Sequence, residues 1–204
     1  MDYSTQYRIL FDAAVEAGKK LGFPHAPLAA SGDAIEQSLL MAVRDVLADF
    51  SDHLNRLIPG YWGNSCQALS TQIFGFLNAQ GIPAEIVTGN VIINNTDVFS
   101  TTLESLKNEY LASEPLTGSQ SLHAWISLGD DTIIDAALPP RLAKNHGYPA
   151  DRADAILVGR AGLFSEKLFL QYEPIIVGSD FIAKTNPPDP MLITEQWRRV
   201  FGRR

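Results

Sequence analysis

Cys66, His123 and Asp135 are the residues in this chain whose types could combine into a nucleophilic catalyst. Cys66 is the sole cysteine among 204 residues. It follows Gly63-Asn64-Ser65 and precedes a run in which Leu69, Ile73, Phe74, Phe76 and Leu77 recur at helical spacing. Polar cap residues in front and Gly81-Ile82-Pro83 behind mark the start and stop of a helix. Asn64 or Ser65 is the expected N-cap, which puts Cys66 in the first turn. Unpaired backbone N–H groups and the positive dipole end favour a thiolate there, against a free-thiol pKa of about 8.5.

A thiolate needs a base and a group to orient that base. Ser121-Leu122-His123-Ala124-Trp125-Ile126-Ser127-Leu128 alternates in polarity. Gly129-Asp130-Asp131 breaks it, and the short β-branched Thr132-Ile133-Ile134-Asp135 follows. This spacing predicts a β-hairpin. His123 and Asp135 share a face only if the loop has an odd number of residues or a bulge. A three-residue loop at Gly129-Asp130-Asp131 is therefore expected, with the carboxylate fixing one imidazole tautomer. The chemistry would be acyl transfer, with Cys66 as nucleophile, His123 as base and then acid, and Asp135 as orienter. The Cys66 backbone N–H would be one oxyanion donor, and Trp62, Asn64 or Gln67 could supply a second. Trp125 is a further substrate-side candidate. The plain alternatives are a buried hydrophobic cysteine, a sheet histidine and a turn-capping aspartate. Zinc sites use short-spaced ligand pairs, which these residues lack, so no metal and no cofactor is expected.

The cysteine at a helix start, GIPAEIVTG running into a strand, then LHAW and IIDAA, resemble the transglutaminase-like branch of the papain-like cysteine enzymes. The resemblance covers roughly residues 62 to 138. It implies the triad order Cys, His, Asp. It also implies a papain-like or transglutaminase-like α+β fold, with helices packed against an antiparallel sheet and the catalytic Cys at a helix N-terminus. The chain departs from the family pattern at Gln67, where the family often has an acidic or aromatic residue. It departs again at Ala136-Ala137, where Pro-Thr is usual, so the family's substrates do not carry over. The implied activity is hydrolysis of, or acyl transfer from, an amide in a peptide, protein or small molecule. The alternative is an inactive transglutaminase-like binding module.

Composition sets the outer bounds. The length suits a single domain, read as a helical part over 1–58, a core over 59–138 and a C-terminal extension over 139–204. A net charge of −7 argues against nucleic-acid binding. One cysteine allows no internal disulfide, Met1-Asp2-Tyr3-Ser4 does not open a secretory signal, and no apolar run reaches membrane-span length. The expected setting is cytoplasmic, away from membranes.

The remaining elements must position the three residues. The periodicity predicts a helix over 3–20, with Ile9, Leu10, Ala13, Ala14 and Ala17 inward. A second helix, capped at Ser31-Gly32-Asp33, should run to about Leu57 and end near a solvated His53. Residues 84–93 read as a strand in which Gly89 signals a bulge or a close backbone approach. A short helix over 101–111 and a polar loop over 113–120 come before His123. His146 reads as a surface residue. A strand over 167–177 is bent or placed at an edge by Pro174, and a final helix over 191–201 turns Trp197 inward. All these helices are expected on one side of a sheet of four to six strands.

Overall fold

The computed structural model describes residues 1–29, 34–57, 65–114 and 120–201. In chain order the elements are α1 (Tyr3–Lys20), α2 (Gln37–Leu57), α3 (Cys66–Ala79), β1 (Glu85–Ile93), β2 (Thr96–Asp97), α4 (Leu103–Leu111), β3 (His123–Ser127) and β4 (Thr132–Asp135). Then come α5 (Leu138–Asn145), β5 (Leu157–Arg160), α6 (Ala161–Leu168), β6 (Leu170–Val177), α7 (Ser179–Thr185) and α8 (Pro190–Phe201). The class is α+β, and among the described residues six strands form one sheet whose pairings are all antiparallel. No described helix is long and apolar enough to cross a membrane.

β1 is the hub of the sheet. Its residues 87–89 pair with β6 as well as β3, so those two strands lie on opposite edges of it. The order then continues through β4 to β5. Residues 139–204, read from the sequence as an extension, thus contribute β5 and β6 to the same sheet. Pro174 is tolerated because, among the described residues, β6 pairs with β1 alone and its other edge carries no strand. Asn94 and Asn95 take left-handed φ values of 50° and 61°, which turns β1 back into the short β2.

The expectation of helices on one side is overturned. β3 and β4 are buried at every residue, so both of their faces are covered. Ile86, Ala124, Ile126, Ile134 and Ile176 face one core, under α2 and α3. Their strand neighbours Val87, Trp125, Ile133 and Val177 face a second core, under α1 and α6. The α1 stripe is also rotated from the expected one. Tyr7, Phe11, Ala14 and Ala17 are buried, while Ile9 is 54% exposed. Two aromatic side chains offer more area to bury than the aliphatic stripe beside them, and they set the rotation.

α3 is held at its far end by side-chain clamping. Asn78 donates to Phe74 O at 2.9 Å and to Ala84 O at 3.0 Å, and it accepts from Ala84 N at 3.2 Å. The helix stop is thereby tied to the start of β1. Leu69, Ile73, Phe74 and Leu77 are buried on its inner face, each contributing about 1.5–3 kcal/mol by leaving water. The expected cap of α2 at 31–33 lies outside the described residues. His53 is not a freely solvated helix end. It packs against Phe50 and Trp197, and burial lowers its pKa, with Arg56 adding to the effect. Trp197 does turn inward, onto Phe50 and Phe76.

Candidate active site

The site is assembled where the first turn of α3 meets the first residue of β3. Ser65 occupies the N-cap but makes no side-chain cap bond, so its hydroxyl does not satisfy the N–H groups of the first turn. Cys66 is half-buried, and its Sγ lies 3.9 Å from Leu122 O, the carbonyl just before His123.

The hairpin has the odd loop its spacing predicts. Ile126 pairs with Ile134, which leaves Gly129, Asp130 and Asp131 between Leu128 and Thr132. Gly129 and Asp130 take φ values of 99° and 54°, and Thr132 N closes the turn on Gly129 O at 3.2 Å. The loop is tied down from outside by Arg8, which pairs with Asp130. Arg160 adds bonds to Asp130 at 2.9 Å and to Asp131 at 2.6 Å. With that register, His123 and Asp135 come to one face. His123 Nε2 donates to Asp135 Oδ2 at 2.6 Å, and both residues are almost fully buried.

That bond uses Nε2 and leaves Nδ1 for the other side of the ring. The Cys66 thiol interacts with the imidazole closely enough to raise its proton affinity, through a hydrogen bond and through charge. Burial alone pushes the His123 pKa down. The Asp135 charge and hydrogen bond, with Cys66 behind them, outweigh burial and raise the pKa from 6.5 to about 10. The imidazolium is therefore the favoured form at neutral pH.

Asp135 is itself saturated. Oδ1 accepts from Ala137 N at 2.8 Å and Leu138 N at 3.0 Å, at the start of α5. Oδ2 accepts from the Tyr172 hydroxyl at 3.0 Å as well as from His123. Tyr172 is fully buried, and burial followed by the Asp135 charge raises its pKa well above the usual value, so it remains a neutral donor.

The ring of His123 has aromatic neighbours. Phe99 stacks on it with centroids 4.9 Å apart and planes 20° apart, and Trp125 lies at 6.0 Å. The Arg141 guanidinium sits over the Phe99 ring at 4.5 Å. Gly89 stands opposite His123 in the β1–β3 register and marks a bulge against β6, as its place in the strand suggested. A Cβ there would meet Glu173 O at 2.1 Å, so this approach admits glycine alone.

The other candidates fall as follows. Gln67 follows Cys66 in the first turn of α3, and its Nε2 is buried with no hydrogen-bond partner among the described residues. Trp125 is fully buried and donates its indole N–H to Tyr7 at 3.1 Å, so it packs the site and offers no spare donor. Trp62, Asn64 and most of the loop before His123 lie outside the described residues. His146 is exposed at the end of α5. Among the described residues no group of three or more His, Cys, Asp or Glu is arranged to hold a metal.

Three members of the site escaped sequence reasoning. Tyr172 was legible only as a position in the strand over 167–177. Phe99 and Arg141 carried no signal, because a turn phenylalanine and a helical arginine are ordinary residues. Comparison with known proteins adds no relative: no family model, curated protein or solved structure matches the chain.

Proposed function

We propose that the protein is a cysteine-dependent acyl-transfer enzyme that hydrolyses an amide through Cys66, His123 and Asp135. We further propose that its fold belongs to the transglutaminase-like branch of the papain-like enzymes. One observation carries this reading: a buried imidazole bonds Asp135 through Nε2 at 2.6 Å, and the Cys66 Sγ lies 3.9 Å from the carbonyl of the residue just before that imidazole. A sheet histidine satisfied for packing alone would need neither the thiol nor a saturated carboxylate behind it.

In this mechanism the Cys66 sulfur, as thiolate paired with the His123 imidazolium, attacks the scissile carbonyl carbon. The C–S bond forms as the carbonyl π pair moves onto oxygen. The oxyanion is held by the Cys66 backbone N–H and by the Gln67 amide, whose buried Nε2 has no acceptor among the described residues. Collapse breaks the C–N bond, and His123 Nδ1 gives its proton to the departing amine. Water then attacks the thioester, His123 takes a proton from it, and the thiolate leaves. Asp135 keeps the ring in one orientation throughout, and Tyr172 keeps Asp135 in place. Water is the acceptor in this reading.

The test needs no known substrate at the outset. Iodoacetamide alkylation of Cys66 should stay fast well below the pH at which a free thiol reacts, and His123→Ala should abolish that advantage. A panel of small amides, esters and peptides should then separate wild type from Cys66→Ala. If Cys66 alkylates like an ordinary thiol and no member of the panel distinguishes the two proteins, the chain is a non-catalytic module.

A further inference from the structure

We infer that Arg141 makes the site selective for an acyl substrate that carries a carboxylate a few bonds from the scissile carbonyl, an inference that rests on the triad reading above. The guanidinium is one aromatic ring away from the chemistry: Arg141 lies 4.5 Å from the Phe99 ring, and Phe99 lies 4.9 Å from the His123 ring. It is half-buried at the second turn of α5, the helix whose first N–H groups Asp135 holds. Its described contact is the face of Phe99, and no carboxylate lies within salt-bridge distance of it among the described residues. The other arginines around the sheet differ, since Arg8 and Arg160 are both committed to the hairpin aspartates.

The platform beneath it is built with care. Asp97 Oδ1 accepts from Phe99 N at 3.0 Å and from Ser100 N at 2.7 Å. Ser100 takes a left-handed φ of 51° to permit this turn. Thr101 Oγ1 then donates to Ser121 O at 2.9 Å, two residues before His123. The loop that carries Phe99 is thus anchored at both ends. An anchored aromatic platform holds a cation that has no carboxylate partner among the described residues one ring away from His123, on a chain whose net charge of −7 would otherwise repel anions. A substrate carboxylate is the chemistry that answers both facts.

Two alkylating agents of nearly equal size read this directly. Iodoacetate carries a carboxylate and iodoacetamide is neutral. The iodoacetate-to-iodoacetamide rate ratio at Cys66 should fall about three- to tenfold in Arg141→Gln at low salt. It should be kept in Arg141→Lys, which preserves charge without the planar fork. The His123 imidazolium attracts iodoacetate in every variant, so the change in ratio isolates Arg141. A ratio within twofold of wild type in Arg141→Gln, or a fall of equal size in Arg141→Lys, overturns the inference. Slow alkylation by both agents, insensitive to His123→Ala, instead overturns the triad reading. Protection of Cys66 from iodoacetamide gives the source of the carboxylate. N-acetylalanine protecting better than N-acetylalaninamide assigns a terminal carboxylate, and the α-amide of N-acetylglutamate doing so assigns an acidic side chain. Equal protection by the neutral amide overturns the inference.

Discussion

The hydroxyl of Tyr172 and the imidazole of His123 donate to the same oxygen of Asp135, at 3.0 and 2.6 Å. The tyrosine is thereby a positioning residue that acts on the histidine through a shared acceptor. Tyr172→Phe should keep the fold, with a loss of about 0.5–1.5 kcal/mol in chemical unfolding for one buried hydrogen bond. Freed of its second donor, the carboxylate is less fixed in place, and so is the imidazole it holds. The pH profile of Cys66 alkylation should therefore shift relative to wild type. A profile superimposable on wild type would reduce Tyr172 to packing.

Removing the charge behind the imidazole should be more severe. Asp135→Asn keeps the shape but deletes the interaction that overcomes the burial of His123. The ring should then be largely neutral at pH 6, and iodoacetamide alkylation at that pH should slow by about 10- to 100-fold. Turnover on any substrate found should fall by about 10²–10⁴. Alkylation kinetics on both proteins, with circular dichroism to show that the variant is folded, checks this.

The same pair makes stability depend on pH in a stated direction. The folded pKa of His123 is raised from 6.5 to about 10, so folding favours the protonated ring. The associated stability is fully present below about pH 6.5 and is lost as pH rises through about 10. Denaturant unfolding of wild type and His123→Gln should therefore show the widest gap below pH 6.5, and the gap should narrow steadily toward pH 10.

A second buried acid gives a separate pH signature. Glu85 is almost fully buried and accepts from Leu28 N and Ile86 N, both at 2.9 Å. Burial raises its pKa from 4.5 to about 7 despite those bonds. Folding therefore favours the protonated acid, and that contribution is full below about pH 4.5 and is lost as pH rises through about 7. Glu85→Gln cannot ionise. Its stability relative to wild type should improve between pH 4.5 and 7 and level off above that, as read by unfolding midpoints across the range.

Gly89→Ala should cost more than about 3 kcal/mol or prevent folding. Its Cβ would lie 2.1 Å from the backbone oxygen of Glu173 and 3.0 Å from Trp125. Neither the β6 backbone nor a buried indole can yield without opening the β1–β6 junction. Thermal unfolding of the purified variant, or its recovery in insoluble form, measures the effect.

By itself the sequence determined the features written in local chemistry. Small polar residues before Cys66 and Gly-Ile-Pro after the run bound α3. A Gly-Asp-Asp turn of odd length brings His123 and Asp135 to one face of a hairpin. Those signals are legible because they act over a few residues, through backbone φ, missing N–H groups and alternation. Tertiary structure alone decided the rest. Tyr172 reaches Asp135 only because β6 pairs with β1, and such long-range pairing leaves no trace within either strand. Both faces of the sheet are covered because α1 returns to β6, which also set the rotation of α1 around Tyr7 and Phe11. Phe99 gains a role only by stacking on His123, and Arg141 only by lying over Phe99, and no local pattern can tell an aromatic in a turn what it will stack upon.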